Sequence, residues 1–345
     1  MAEVTRPKEE ADIKYREDRV AVHFRNYLDK YAFVELSEDY LTRSKIGDIM
    51  TGVPVPLGSE ALEEFKSGAG IAPKELAKDM SFVMGCDPHF RFADKYADCI
   101  NRLFADKYQY DLIRTAAEAA EGGHFDDACI YYRAALCLQP GMQDAMYGYA
   151  RVCRNIYLEA SEAEDGETVG RFKAESMDYF ELLTQVHPKF APAYYYLGYA
   201  YVNMGLYTKA DLAWKEYLKI APAGKDKDEI RDRVHELRDP VLIERGCNEV
   251  IAGRFAGGIE ILSTFVGSNF DKWWPLHYYL GVAYSRSGFE SEAEERFKRV
   301  LQLNASHIET MRELCSLYDR TGNTASYTKY MKKIALVEEN IKADE

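Results

Sequence analysis

The sequence predicts an all-α protein, a solenoid of helix-turn-helix repeats with a helical N-terminal region. Three observations carry that prediction. Between Ala191 and Gly224, Leu197 and Gly198 are followed by Tyr201, Gly205, Ala210, Trp214 and Pro222. From Trp274 the series returns as Leu280, Gly281, Tyr284, Gly288, Ala293 and Phe297. Leu314, Tyr318 and Gly322 then follow 34 residues after Leu280, Tyr284 and Gly288. A fixed period of this length marks repeated units that bury their faces on one another.

Each recurring position has a steric role. The glycine of the Leu-Gly pair lets helix A and helix B of one repeat approach closely, which offsets roughly 1 kcal/mol of lost helix propensity. Ala210 and Ala293 stand at the matching crossing point on helix B, and Tyr201, Trp214, Tyr284 and Phe297 fill the space between hairpins. Gly205 and Gly288 suit the left-handed turn that ends helix A, and Pro222 stops helix B because it cannot donate to the ladder. This pattern, L-G-x-x-Y, A-x-x-x-F and P within 34 residues, resembles the tetratricopeptide-repeat family over residues about 109–341.

Along the chain, residues 1–108 read as a helical region outside that resemblance. Val20, Phe24, Tyr27, Leu28 and Tyr31 predict an amphipathic helix over 16–33. A second follows Ser37 with Tyr40, Leu41, Ile46 and Ile49, and the segment TGVPVPLG at 51–58 reads as an extended linker. Ser59 caps a short helix holding Leu62 and Phe65, ended by Gly68 and Gly70. Pro73 opens another with Leu76, Ala77, Met80 and Val83 on one face and Gly85 as its stop. Asp87 and Pro88 read as the cap and first turn of a helix carrying Tyr96, Ile100 and Phe104. The whole region is expected to pack on the first repeat.

Three repeats form a first array over 109–224. The copy at 109–142 keeps Gly123, Ala128, Tyr132, Ala135 and Pro140 without the Leu-Gly pair. The copy from Gln143 has Met146, Tyr149, Phe180, Leu183 and Pro188, and its insertion near 161–170 (SEAEDGETVG) reads as an acidic loop or extended helix ends. Residues 225–238 form a charged bridging or capping helix with Ile230, Val234 and Leu237 on one stripe. A second array, about three repeats and a C-terminal cap, covers 239–345. Its first copy has Gly246, Gly253 and Leu262 in place but Arg245 and Gly258 off pattern. Its last, 308–341, replaces the glycine by Cys315 and ends in a Lys- and Glu-rich helix that suits a solvent-facing cap.

Composition narrows the function classes. A net charge of −13 argues against nucleic acid or an anionic membrane as partner, and no apolar run approaches the ~20 residues of a membrane span. The polar N-terminus does not read as a secretory signal. Seven cysteines without regular spacing suit the reducing cytoplasm. With 26 tyrosines, many at repeat positions, the simplest role for them is packing between repeats.

No catalytic or metal site is expected, and no cofactor is called for. Cys86 and His89 place a thiol three residues from an imidazole, but capping already accounts for Asp87 and Pro88. The other histidines (His23, His124, His187, His235, His277 and His307) are dispersed, and His277 falls at a core position of its repeat. Cys129 and Cys137 are too far apart for joint ligation. Gly122–Gly123 and Gly257–Gly258 read as turn glycines, and no phosphate-loop or nucleophile-elbow pattern occurs.

In the family resembled, helix A lines a concave groove, and its exposed positions carry specificity. On this chain those positions hold Tyr147, Arg151, Arg154 and Asn155, then Tyr195, Tyr199 and Asn203. The second array adds Tyr278, Ser285 and Arg286, then Arg312 and Arg320. Tyrosine and arginine are enriched at binding hot spots, so the chain reads as a non-enzymatic scaffold holding a peptide or protein segment. The bland alternative is that the arginines pair with glutamates of neighbouring repeats and the tyrosines are core. The family's Lys/Asn/Arg carboxylate clamp is poorly matched. Two rivals remain: a peptide-sensing DNA-binding regulator with a helix-turn-helix at 73–100, and a structural subunit whose groove is filled by its own first helix.

Overall fold

The computed structural model describes residues 18–67 and 71–343. Positions 16–17 of the first predicted helix, and the predicted stops Gly68 and Gly70, lie outside the described residues. The chain divides into two compact units, residues 1–200 and 201–345.

In the first unit, the segment expected as one helix over 16–33 is broken. It forms a four-residue helix α1 (Ala21–Phe24) and a 3-10 stretch (Arg25–Lys30), then strand β1 (Ala32–Val34). The expected linker supplies β2 (Val55–Leu57), antiparallel to β1 with Phe33 opposite Pro56. Pairing therefore takes over where helix was expected, and the Tyr96 hydroxyl fixes the ribbon by donating to the Pro54 carbonyl at 2.5 Å. Between the strands lie α2 (Glu38–Arg43), capped by the Ser37 hydroxyl, and α3 (Gly47–Met50). After β2 comes α4 (Ser59–Lys66), whose preceding residue Gly58 donates its N–H to buried Asp79 at 2.9 Å.

Helix α5 (Pro73–Cys86) starts at its proline as expected, but Gly85 does not stop it. A Cβ on Gly85 would lie 2.1 Å from the Ile130 carbonyl oxygen, so this glycine is the point of closest approach to α8 (Phe125–Leu138). The next helix, α6 (Ala93–Phe104), begins five residues later than Pro88, and Asp87 instead accepts the His89 N–H within the connecting turn. As expected, α5 packs on the first repeat, formed by α7 (Tyr108–Glu121) and α8.

The second hairpin resolves the insertion as lengthened helices. Helix α9 (Gln143–Glu162) has 20 residues and α10 (Gly166–Val186) has 21, joined by three residues with Glu164 left-handed. Helix α11 (Ala191–Asn203) follows.

In the second unit, α12 (Tyr207–Ile220), α13 (Lys225–Glu236) and α14 (Arg238–Ile251) precede α15 (Phe255–Ser263). The hairpins α16 (Trp274–Arg286) with α17 (Glu290–Leu303), and α18 (Ile308–Arg320) with α19 (Thr324–Ala343), complete it. The repeat glycines behave as read: Gly253, Gly288 and Gly322 all turn at positive φ, and a Cβ on Gly281 would meet the Phe297 ring at 2.8 Å. Gly257 and Gly258 lie inside α15 and are not turn glycines. Gly258 is not off pattern either. It occupies the small crossing position held elsewhere by Ala293, since a Cβ there would meet Val250 at 2.4 Å.

His277 is fully buried in this unit. Its Nε2–H donates to the Asp271 carbonyl at 2.8 Å, while Nδ1 has no partner. The Asp271 carboxylate accepts from the Gly267 N–H and from Arg299 (3.0 and 2.8 Å) and is held below its usual range. Burial lowers the imidazole's affinity for a proton, more than Asp271 raises it. A second ring proton would have no acceptor. Because the folded pKa lies below the unfolded value of ~6.5, the stability contributed by neutral His277 is present above that value. It is lost as pH falls through the folded pKa. The thermal midpoint of this unit is expected to fall between pH 7.5 and 5, with a shallower slope in His277→Gln. Coincident slopes for the two proteins would refute this.

Candidate functional site

The sequence-predicted groove residues of the first unit come together on α9 and α11. Tyr147, Arg151 and Arg154 recur at helical spacing on α9 and therefore share a face. The Tyr147 ring lies 5.0 Å from Phe190 and 6.2 Å from Tyr196. Tyr196 stacks on Phe180 at 4.9 Å and meets Tyr195 at 5.5 Å, and Tyr195 meets Tyr199 at 5.1 Å. These tyrosines are half-buried, so their rings form one aromatic surface that still reaches solvent. Asn155 is half-buried beside Arg154 on the same helix.

The two arginines lie on this surface. The Arg151 guanidinium is 5.5 Å from the centre of the Tyr147 ring, and that of Arg154 is 5.9 Å from the centre of Tyr196. Such cation–π contacts hold a planar cation in place while leaving donors for a ligand. Among the described residues, neither guanidinium pairs with a carboxylate. Burial and the neighbouring Tyr196 push the Tyr147 hydroxyl up to about 12, against the pull of Arg151, so it is a neutral donor at neutral pH. Tyr196 is the residue that sequence reasoning missed. The Tyr194–Tyr196 run signalled it, but the repeat count assigned only Tyr195 and Tyr199 to the face.

The second unit differs. Arg286 donates to Glu313, and Arg312 to Glu338, both at 2.9 Å. Arg320 donates to the Ser285 hydroxyl at 2.9 Å, and that serine is buried. Tyr278 packs against the core around Phe297 and meets the His307 ring at 5.1 Å. Asn203 is exposed and belongs to this unit. Here the bland alternative describes the arginines: they tie one repeat to the next.

The N-terminal segment lies elsewhere. Asp18 pairs with buried Arg133, and Arg19 reaches Glu175 at 3.3 Å and Asp178 at 2.5 Å. His23 and Tyr27 both hydrogen-bond Asp126, at 2.9 and 2.8 Å. Burial opposes ionisation of Asp126, but these two bonds outweigh it and lower its pKa. Phe24 is fully buried with its ring 6.1 Å from Phe172. These partners are on α8 and α10, the second helices of their hairpins. The described part of the segment therefore does not fill the face of α9 and α11.

Nor do residues 73–100 form a free DNA-reading pair. Helix α5 is buried against α8, and the exposed positions of α6 include Asp94, Lys95 and Asp98, which are acidic on balance. Cys86 is buried and burial pushes its thiol up to about 12, whereas His89 is exposed, so the two do not form an activated nucleophile. Among the described residues, no three His, Cys, Asp or Glu side chains are grouped to hold a metal ion. No described helix is long and apolar enough to cross a membrane.

No protein-family model matches the chain, and no curated protein does. Its hairpins follow the tetratricopeptide pattern, and solved structures of such proteins resemble it. One is MamA 41-end from Desulfovibrio magneticus RS-1, at 17% identity and a TM-score of 0.32, covering 55% of this chain and 96% of that one. PilF of Pseudomonas aeruginosa, at 13% identity and a TM-score of 0.33, covers 70% and 99%. YrrB, described as a TPR protein with an unusual peptide-binding site, has 15% identity and a TM-score of 0.32 and covers 63% and 96%. These likenesses concern the fold alone.

Proposed function

We propose that this chain is a non-enzymatic interaction scaffold that captures a peptide or protein segment on the helix-A face of its first repeat array. One contrast carries the reading. Arg151 and Arg154 lie over a half-buried tyrosine surface and have no carboxylate partner among the described residues, while Arg286 and Arg312 in the second array are paired internally. A half-buried aromatic face that carries two arginines offers a ligand the residue types enriched at binding hot spots. The arrays are assigned to 109–224 and 239–345, joined by the charged helix at 225–238. We place the protein in the cytoplasm, which suits seven cysteines that are all free thiols.

Affinity purification from native extract, followed by mass spectrometry, tests this. Wild type is compared with a Tyr195→Ala/Tyr199→Ala/Arg151→Glu variant whose fold is confirmed by circular dichroism. The expected outcome is a partner retained by wild type and lost by the variant. A partner retained equally by both would remove the function from this face.

A further inference from the structure

We infer that the face shared by α9 and α11 takes an internal acidic segment of a partner protein. The segment lies extended, with carboxylates at alternate positions and apolar or aromatic side chains between them. This inference rests on the scaffold reading and names the chemistry of its ligand.

Charge complementarity is the first ground. The chain carries 57 acidic against 44 basic residues, so an acidic segment needs a locally basic face to bind. Arginines elsewhere are commonly engaged: Arg19, Arg102, Arg133, Arg171, Arg254, Arg286, Arg299 and Arg312 all meet carboxylates. Arg151 and Arg154 do not, among the described residues, yet each is already oriented by a tyrosine ring. A planar guanidinium held over a ring still presents a fork of N–H groups that can donate to a carboxylate bidentately.

Geometry sets the spacing. Three residues along a helix advance the two arginines by about 4.5 Å. Carboxylates two residues apart in an extended chain are about 6.6–6.8 Å apart, a difference that two flexible arginine stems absorb. Alternation turns the intervening side chains to the opposite side of the peptide, away from the arginines. A terminal carboxylate is not required, since the partners are two side chains rather than one chain end.

Fluorescence anisotropy with two probes tests this on the full chain. Both are eight-residue peptides, N-labelled with fluorescein and C-amidated, one alternating Glu with Leu and the other alternating Gln with Leu. The Glu peptide is expected to bind about tenfold or more tightly than the Gln peptide in 50 mM salt. Its affinity should fall as salt rises. Arg151→Gln/Arg154→Gln should lose at least about tenfold, and Arg286→Gln/Arg312→Gln should leave binding unchanged, with both folds checked by circular dichroism. Equal binding of the two peptides, no binding of either, or equal loss in both double variants would overturn the inference. If the affinity-purification partner is still lost on removing Tyr195 and Tyr199, the scaffold reading survives that failure.

Discussion

Gly85→Ala is expected to destabilise the first unit by about 3 kcal/mol, the upper end for overpacked cores. The added methyl would sit 2.1 Å from the Ile130 carbonyl oxygen and 2.8 Å from its carbon. Those atoms are helix backbone and cannot rotate away. Helices α5 and α8 must separate, and the contacts of Leu76, Met80, Val83 and Met84 loosen together. In a unit of this size the thermal midpoint should fall by about 6–12 °C. Gly257→Ala supplies the opposite case. Its nearest neighbour would be the Glu249 carboxylate at 3.4 Å, and the site is helical, so the substitution should stabilise by about 0.5–1 kcal/mol. Thermal unfolding of both variants checks the pair; an unchanged midpoint for Gly85→Ala would mean the helices are not in contact there.

Asp18→Ala should be comparably severe. Arg133 is 4% exposed and Asp18 10%, and the guanidinium lies 5.2 Å from the Phe24 ring centre. Its Nε and Nη1 have no partner, so Asp18 is the principal neutralisation it has. Removing one member of a buried pair strands the other charge and costs about 3–5 kcal/mol. Removing both charges, as in Asp18→Asn/Arg133→Met, should recover most of that loss, because the desolvation of the guanidinium disappears with it. Urea unfolding measures the stabilities, and trypsin cleavage after Arg19 and Arg25 reports release of the segment. A single variant as stable as the double would show that the pair does not hold the N-terminal segment.

The repeats were legible because their contacts are encoded in residue size at fixed spacing. Gly281 against Phe297, and Gly288 in its turn, are read directly from the pattern. Gly85 was misread because one glycine near a helix end fits both a stop and a close approach. A usable signal was present: Ala77, Ser81 and Gly85 form a small-residue line at a spacing of four, and all three are buried. The β1–β2 ribbon was not legible, since its strands are three residues long and one contains Pro56. In the candidate site, the face was reached through the repeat count. Which arginines were already engaged was not, because Glu313 and Glu338 lie 27 and 26 residues from their partners.

The anchoring of the N-terminal segment bears on the order in which the chain assembles during synthesis. Arg19 closes on Asp178 across a sequence separation of 159 residues, and Arg133 on Asp18 across 115. At 5–20 residues per second, about 8–30 s separate the emergence of the two ends of the first contact. Throughout that interval Phe24 has no Phe172 to cover it, and the segment leaves the ribosome tunnel before its dock exists. The first unit is thus clasped last by residues made long before their partners.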